Sequence, residues 1–215
     1  MSIQPCPEKG KEGIRISSFV QRSEWGNTES EEKMKTGITE KEVMAVKTSE
    51  KVRYMTMAGI MAALITVMTA YICHIPVGVN GGYVHFGDSM IYLAAALLPT
   101  PYALAAAAIG GGLADLLTAP MWAPATIIIK MLIALLFTNK GKKIITPRNI
   151  AACILAYFVT GIGYFLAEYV IFGSWSVLLA AMSETLIQSG GSAVFFIVFG
   201  AALDKAQIKN RFFER

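Results

Sequence analysis

Charge is what the middle of this chain lacks. From Tyr54 to Asn139, 86 residues hold three formal charges: Asp88, Asp115 and Lys130. Cysteine is scarce as well. Cys6, Cys73 and Cys153 form no C-x-x-C pair and no metal-ligand spacing, so neither a metal site nor a redox centre is expected. Cys73 and Cys153 read as small buried hydrophobes. No G-x-x-x-x-G-K-[ST] occurs, which excludes ATP hydrolysis through a P-loop. No H-E-x-x-H and no G-x-S-x-G elbow occurs, so no catalytic residue and no enzyme activity is expected. Arg-rich voltage-sensor spacing is missing too.

What is present is apolar. The 215 residues are 54% hydrophobic, with a mean hydropathy of +0.52 despite a polar start. Residues 1–53 hold 10 of the 19 Lys and Arg and 9 of the 15 Asp and Glu. Three parts follow: a polar tail over 1–50, expected to be disordered, a membrane domain over 51–207, and a basic tail over 208–215. The first 50 residues contain no apolar core after a basic start and do not read as a signal peptide. The net charge of +4 sits in flanks and one loop, with no basic stripe interleaved with aromatics, so no nucleic-acid partner is expected.

The patterning predicts an all-α membrane protein, a six-helix transmembrane bundle. Helices are placed at about 54–73, 83–98, 102–118, 122–139, 150–171 and 178–203, against a span requirement of about 17–25 residues. Pro99-Thr100-Pro101 breaks the second from the third, giving a tight helical hairpin over 83–118, with one re-entrant segment as the alternative. Lys51 and Arg53 precede the first helix. Lys140, Lys142, Lys143 and Arg148 lie between the fourth and fifth, and Lys205, Lys209, Arg211 and Arg215 follow the sixth. Six spans put all of them on one side, which the positive-inside rule makes cytoplasmic, together with both termini.

Depth then groups the ionisable residues. Asp88, Asp115, Lys130, Glu168 and Glu184 all fall in the outer half to the middle of the membrane. Lys130 lies roughly 12 Å past Trp122 at ~1.5 Å per residue. Such groups cost at least ~2.5–3.5 kcal/mol near a helix centre, so they face a protein interior or a water-filled cavity. His85 and Asp88 share a helix face at i,i+3, and Glu184 and Gln188 share one at i,i+4. Trp122, Trp175, Tyr83 and Tyr164 lie near the same rim. Structural readings stand beside the functional one. Asp115 and Glu168 can snorkel, Asp88 can cap a helix start, and Lys130 can pair with Asp88 or Asp115. Trp122 and Tyr83 can be interfacial belt residues, and His74 reads as solvated at a membrane edge. Four acids against one lysine favour a neutral or cationic, flat, hydrogen-bonding ligand over a polyanion.

Small residues recur on the first helix as Ala58-Gly59-x-x-Ala62-Ala63, two overlapping small-x-x-x-small patterns that permit close helix approach. Near the helix start, they can meet another protein.

The stretch Gly81-Gly82-Tyr83-Val84-His85-Phe86-Gly87-Asp88, the Gly110–Asp115 run and Ala123-Pro124-Ala125-Thr126 with Lys130 resemble the substrate-binding S components of energy-coupling factor (ECF) vitamin transporters. The nearest likeness is the riboflavin-transporter-like branch, which includes apparent carriers of thiamine precursors and pyridoxine. It covers about 50–205. The resemblance implies a site near the extracellular face, gated by the loop 74–82, in a prokaryotic cell membrane. It implies docking through Ala58 and Ala62, within the set Ala58, Gly59, Ala62 and Ala63, onto a transmembrane coupling subunit driven by two cytoplasmic ATPases. The expected ligand-binding set is His85, Asp88, Asp115, Trp122, Lys130, Tyr164, Glu168, Glu184 and Gln188, with no cofactor. The competing readings are a stand-alone proton-coupled carrier and a non-transport membrane scaffold.

Overall fold

A computed structural model describes the backbone of residues 13–72, 75–76, 83–173 and 178–212, and side chains over 42–72, 85–173 and 184–211. The chain divides into two units, residues 1–51 and 52–215. In the first, helix begins at Gly13, within α1 (Gly13–Ala70), so the polar stretch expected to be disordered is helical from Gly13 onward. Its composition accounts for this. Glu29 and Lys33, and Glu31 and Lys35, stand at the i,i+4 spacing that supports an exposed helix. Residues 42–50 are exposed throughout.

The second unit is a helical bundle. After α1 come α2 (Gly87–Leu97), α3 (Thr100–Thr118), a short 3-10 turn (Pro120–Trp122), α4 (Ala123–Leu136), α5 (Pro147–Phe172), α6 (Leu178–Lys205) and α7 (Ile208–Phe212). Two residue pairs, β1 (Ile75–Pro76) and β2 (Tyr83–Val84), run antiparallel before α2, with Ile75 opposite Val84. Among the described residues, four stretches are long and apolar enough to cross a bilayer: Glu42–Ala70, Thr100–Thr118, Pro147–Phe172 and Glu184–Lys205. Two apolar helices, Gly87–Leu97 and Pro120–Leu136, are shorter.

Boundaries follow local chemistry. Leu98, the residue before Pro99, is extended (φ −93°, ψ 151°), which ends α2 and lets α3 start two residues later. Thr146 caps α5, its hydroxyl accepting the Asn149 N–H at 3.2 Å, with Pro147 at the first helical position. Gly173 closes α5 in the left-handed conformation (φ 68°).

Small side chains draw the helices together. On α2, Ala94, Ala95 and Ala96 are buried, and on α3, Ala103, Ala106, Ala107 and Ala114. At Gly110 a methyl group would lie 2.8 Å from the Ala62 carbonyl oxygen, so only glycine lets α3 sit this close to α1. The Thr66 hydroxyl donates across that contact to the Gly110 carbonyl oxygen at 3.0 Å. Large apolar side chains point outward instead. Leu117, Ile128, Ile154, Val170, Ile187 and Val194 are all more than half exposed. Water would not tolerate such a belt, but hydrocarbon does.

The packing of α1 corrects one expectation. Ala58 and Ala62, expected on an open face, are buried in their own bundle, 8% and 6% exposed. The register explains it: Ala58, Ala62, Ile65 and Thr69 form the inward stripe at helical spacing. Gly59 and Ala63, one residue on, are exposed, and nothing lies within 4 Å of a methyl group placed at Gly59.

Candidate functional site: a line of buried polar side chains across five helices

Asp88 enters the bundle on the first turn of α2. Just before it, His85 Nδ1 accepts the Gly87 N–H at 3.0 Å, and the Ser89 hydroxyl donates to the Phe86 carbonyl at 2.6 Å. These bonds fix the helix start, so Asp88 is positioned by its backbone. It is fully buried, as is Lys130 from the middle of α4 (0% and 1% exposed). Lys130 Nζ donates to Asp88 Oδ1 at 2.6 Å, and Gln188 Nε2 from α6 donates to Oδ2 at 3.0 Å. Both carboxylate oxygens are therefore engaged.

A second group adjoins the first. The Thr126 hydroxyl on α4 donates to Asp115 Oδ2 on α3. It also lies 2.8 Å from the Tyr164 hydroxyl on α5. A threonine hydroxyl has one proton, so with that proton given to Asp115, Tyr164 is the donor to Thr126. Lys130 Nζ stands 5.4 Å from the centroid of the Tyr164 ring, within cation–π range. Gln188, Asp88, Lys130, Tyr164, Thr126 and Asp115 thus form one line that ties α6, α2, α4, α5 and α3. Trp122 packs edge-on against Tyr164 at 6.1 Å and borders Phe172 at 6.3 Å, giving the line an aromatic flank.

Of the expected site residues, the structure joins Asp88, Lys130 and Gln188 directly. It places Asp115, Tyr164 and Trp122 beside them. His85 is buried but serves the turn into α2. Glu168, one turn beyond Tyr164, and Glu184, one turn before Gln188, are half-buried on the same two helices. Trp175, His74, most of the loop 74–82 and the Tyr83 side chain lie outside the described residues. Thr126 was missed as a site residue. Its signal was available: it stands at i,i+4 from Lys130, on the same face of α4. Gly111 was missed too. A methyl group there would meet Lys130 Cγ at 2.9 Å, so this glycine makes room for the lysine stem.

Stability alone is a weak reason for the ion pair. Burying both charges costs several kcal/mol per ion, and a well-packed apolar pair of similar volume is often as stable or about 1–4 kcal/mol more so. The arrangement offers a charged donor, a carboxylate, hydroxyls and aromatic faces within one interior, with no metal-binding cluster of His, Cys, Asp or Glu among the described residues. That equips it to hold a polar molecule.

Comparison with known proteins decides the family. The sequence model of the family described as ECF-type riboflavin transporter, S component, matches residues 49–205. The chain belongs to that family. The ECF S component match spans the bundle and stops short of most of the polar N-terminal unit. A Pyrococcus woesei protein described as an uncharacterized protein in the gap 3' region is 29% identical over 143 residues, 63% of this chain and 89% of its own length. An S component is a transporter subunit rather than a class of enzyme.

Proposed function

We infer that this chain is the substrate-specific binding subunit of an ECF-type importer. It captures a small, flat, water-soluble vitamin or precursor of the riboflavin, hydroxymethylpyrimidine/thiamine or pyridoxine class from outside a prokaryotic cell. The observation that carries this reading is the buried line from Gln188 through Asp88 and Lys130 to Tyr164, Thr126 and Asp115. In this reading the apolar bundle crosses the membrane six times, α2 and α4 being short spans, with both termini cytoplasmic. Asp88, Lys130, Asp115 and Gln188 bond the ligand, and Trp122 and Tyr164 stack against its ring. His85, Glu168 and Glu184 border the chamber. A transmembrane coupling subunit and two ATPases supply the work, because the chain has no P-loop. The exposed Gly59 and Ala63 replace Ala58 and Ala62 as the small-residue docking face.

The test is mass spectrometry of what co-purifies with the protein, followed by uptake of that compound in cells with and without the coupling subunit and ATPases. Uptake that needs those partners is expected. Uptake driven by a proton gradient without them would make the chain a stand-alone carrier, and no bound small molecule would make it a scaffold. A cysteine at position 142 should be labelled only from the cytoplasmic side; labelling from outside overturns the topology.

A further inference from the structure

One turn along α2 from Asp88 stands Tyr92, and one turn along α6 from Gln188 stands Ser192, with Ser189 beside it. The two helices run in the same direction here, because Asp88 meets Gln188 and, further along, the Tyr92 ring meets Phe196 at 5.9 Å. Tyr92 and Ser192 are therefore the next rung after the bonded pair. Tyr92 and Ser192 are both 0% exposed, and Ser189 is 2% exposed. All three hydroxyl oxygens are buried with no hydrogen-bond partner among the described residues. The Tyr92 and Ser189 hydroxyls lie close enough to interact with each other. Beyond them the interior turns apolar: the rings of Tyr92 and Phe137 stack at 4.6 Å, and Phe196 closes on Phe137 edge-on at 5.5 Å.

Three buried hydroxyls between an ion pair and an aromatic floor are costly unless something bonds them. Their chemistry defines that something. Each hydroxyl both donates and accepts, and none carries a charge, so a neutral group that does both, as a hydroxyl does, matches all three. We propose that Tyr92, Ser189 and Ser192 form a second, uncharged tier of the ligand chamber that takes a neutral hydroxyl group. That group is a water molecule or a hydroxyl of the bound molecule. The inference rests on reading the Asp88–Lys130 site as a ligand chamber. The tier supplies specificity, because a ligand lacking the matching hydroxyl leaves these groups unbonded.

The experiment uses the full chain with two probes: riboflavin, and lumiflavin, which has the same ring system with a methyl group in place of the polyhydroxyl chain. Tyr92→Phe and Ser192→Ala each remove one hydroxyl and little volume. If the hydroxyl belongs to the ligand, each substitution weakens riboflavin binding about three- to tenfold and leaves lumiflavin binding unchanged. If it is water, both probes weaken equally. A crystal structure of the ligand-free protein should show water bonded to at least two of the three side chains. A dry tier there, or unchanged affinity for both probes, overturns the proposal. If the wild-type protein binds neither flavin, riboflavin alone drops out of the proposed vitamin classes, and the ligand-free structure decides the tier.

Discussion

The two ends of the bundle are both rich in buried polar groups, yet they spend them differently. At the lysine-rich end, side chains bond backbone. Asp204 accepts the N–H groups of Ile144 and Ile145 at 2.7 and 2.9 Å. Asn149 bonds the N–H and carbonyl of Thr138 and the carbonyl of Ile144. Lys209 donates to the carbonyls of Ala96 and Asn139 at 3.1 and 2.7 Å. Each bond satisfies a main-chain group freed where a helix ends or a loop turns, which any fold must do. At the other end Asp88, Lys130, Gln188, Asp115, Thr126 and Tyr164 bond one another across helices. Among the described residues, these bonds run from side chain to side chain. A polar residue that caps the backbone is accounted for by folding, whereas one that only meets other side chains is available to a ligand.

That contrast breaks most sharply at Lys130. Lys130→Met strands the Asp88 carboxylate, at a cost of about 3–5 kcal/mol, and should abolish ligand binding. Adding Asp88→Leu should recover most of the stability in thermal unfolding but none of the binding. Recovery of binding would return the ion pair to a structural role. At the opposite end, Asn149→Ala orphans three backbone groups and should cost about 1–3 kcal/mol of stability. Ligand affinity in titrations of the folded fraction should stay within about twofold. A large affinity loss there would erase the distinction between the two ends.

Smaller changes sharpen it. Gly111→Ala places a methyl group 2.9 Å from Lys130 Cγ and should weaken ligand binding about tenfold, by shifting the ammonium rather than removing it. Binding equal to wild type would place the working position of Lys130 elsewhere. On α1, Gly59→Trp should leave both stability and binding largely unchanged while stopping uptake, because nothing in the chain lies within 4 Å of a methyl group placed there. Ala62→Trp, on the buried stripe, should instead destabilise the bundle. Normal uptake by Gly59→Trp would remove this face from docking.

Much of the fold was legible because hydrophobic runs, prolines and lysine flanks act locally. The break at Leu98–Pro99 follows from residues within a turn or two. The start of α1 was not read, since a mixed-charge composition suits an exposed helix as well as a disordered tail. Of the small residues expected to dock, Ala58 and Ala62 turn inward while Gly59 and Ala63 are exposed. Two overlapping small-residue patterns occupy adjacent positions on α1, and nothing in the pattern says which turns inward.

The sequence by itself determined that this is an apolar helical chain with a few charges it cannot leave in lipid. Only the tertiary structure decided that Lys130 bonds Asp88, that Thr126 joins Asp115 to Tyr164, and that Ala62 faces in while Gly59 faces out. Helical spacing fixes which residues share a face within one helix. Which face meets which depends on how each helix is rotated and offset against its neighbours. Close-packed contacts such as Gly110 on Ala62 and Gly111 on Lys130 set that rotation, and they exist only once the bundle has formed.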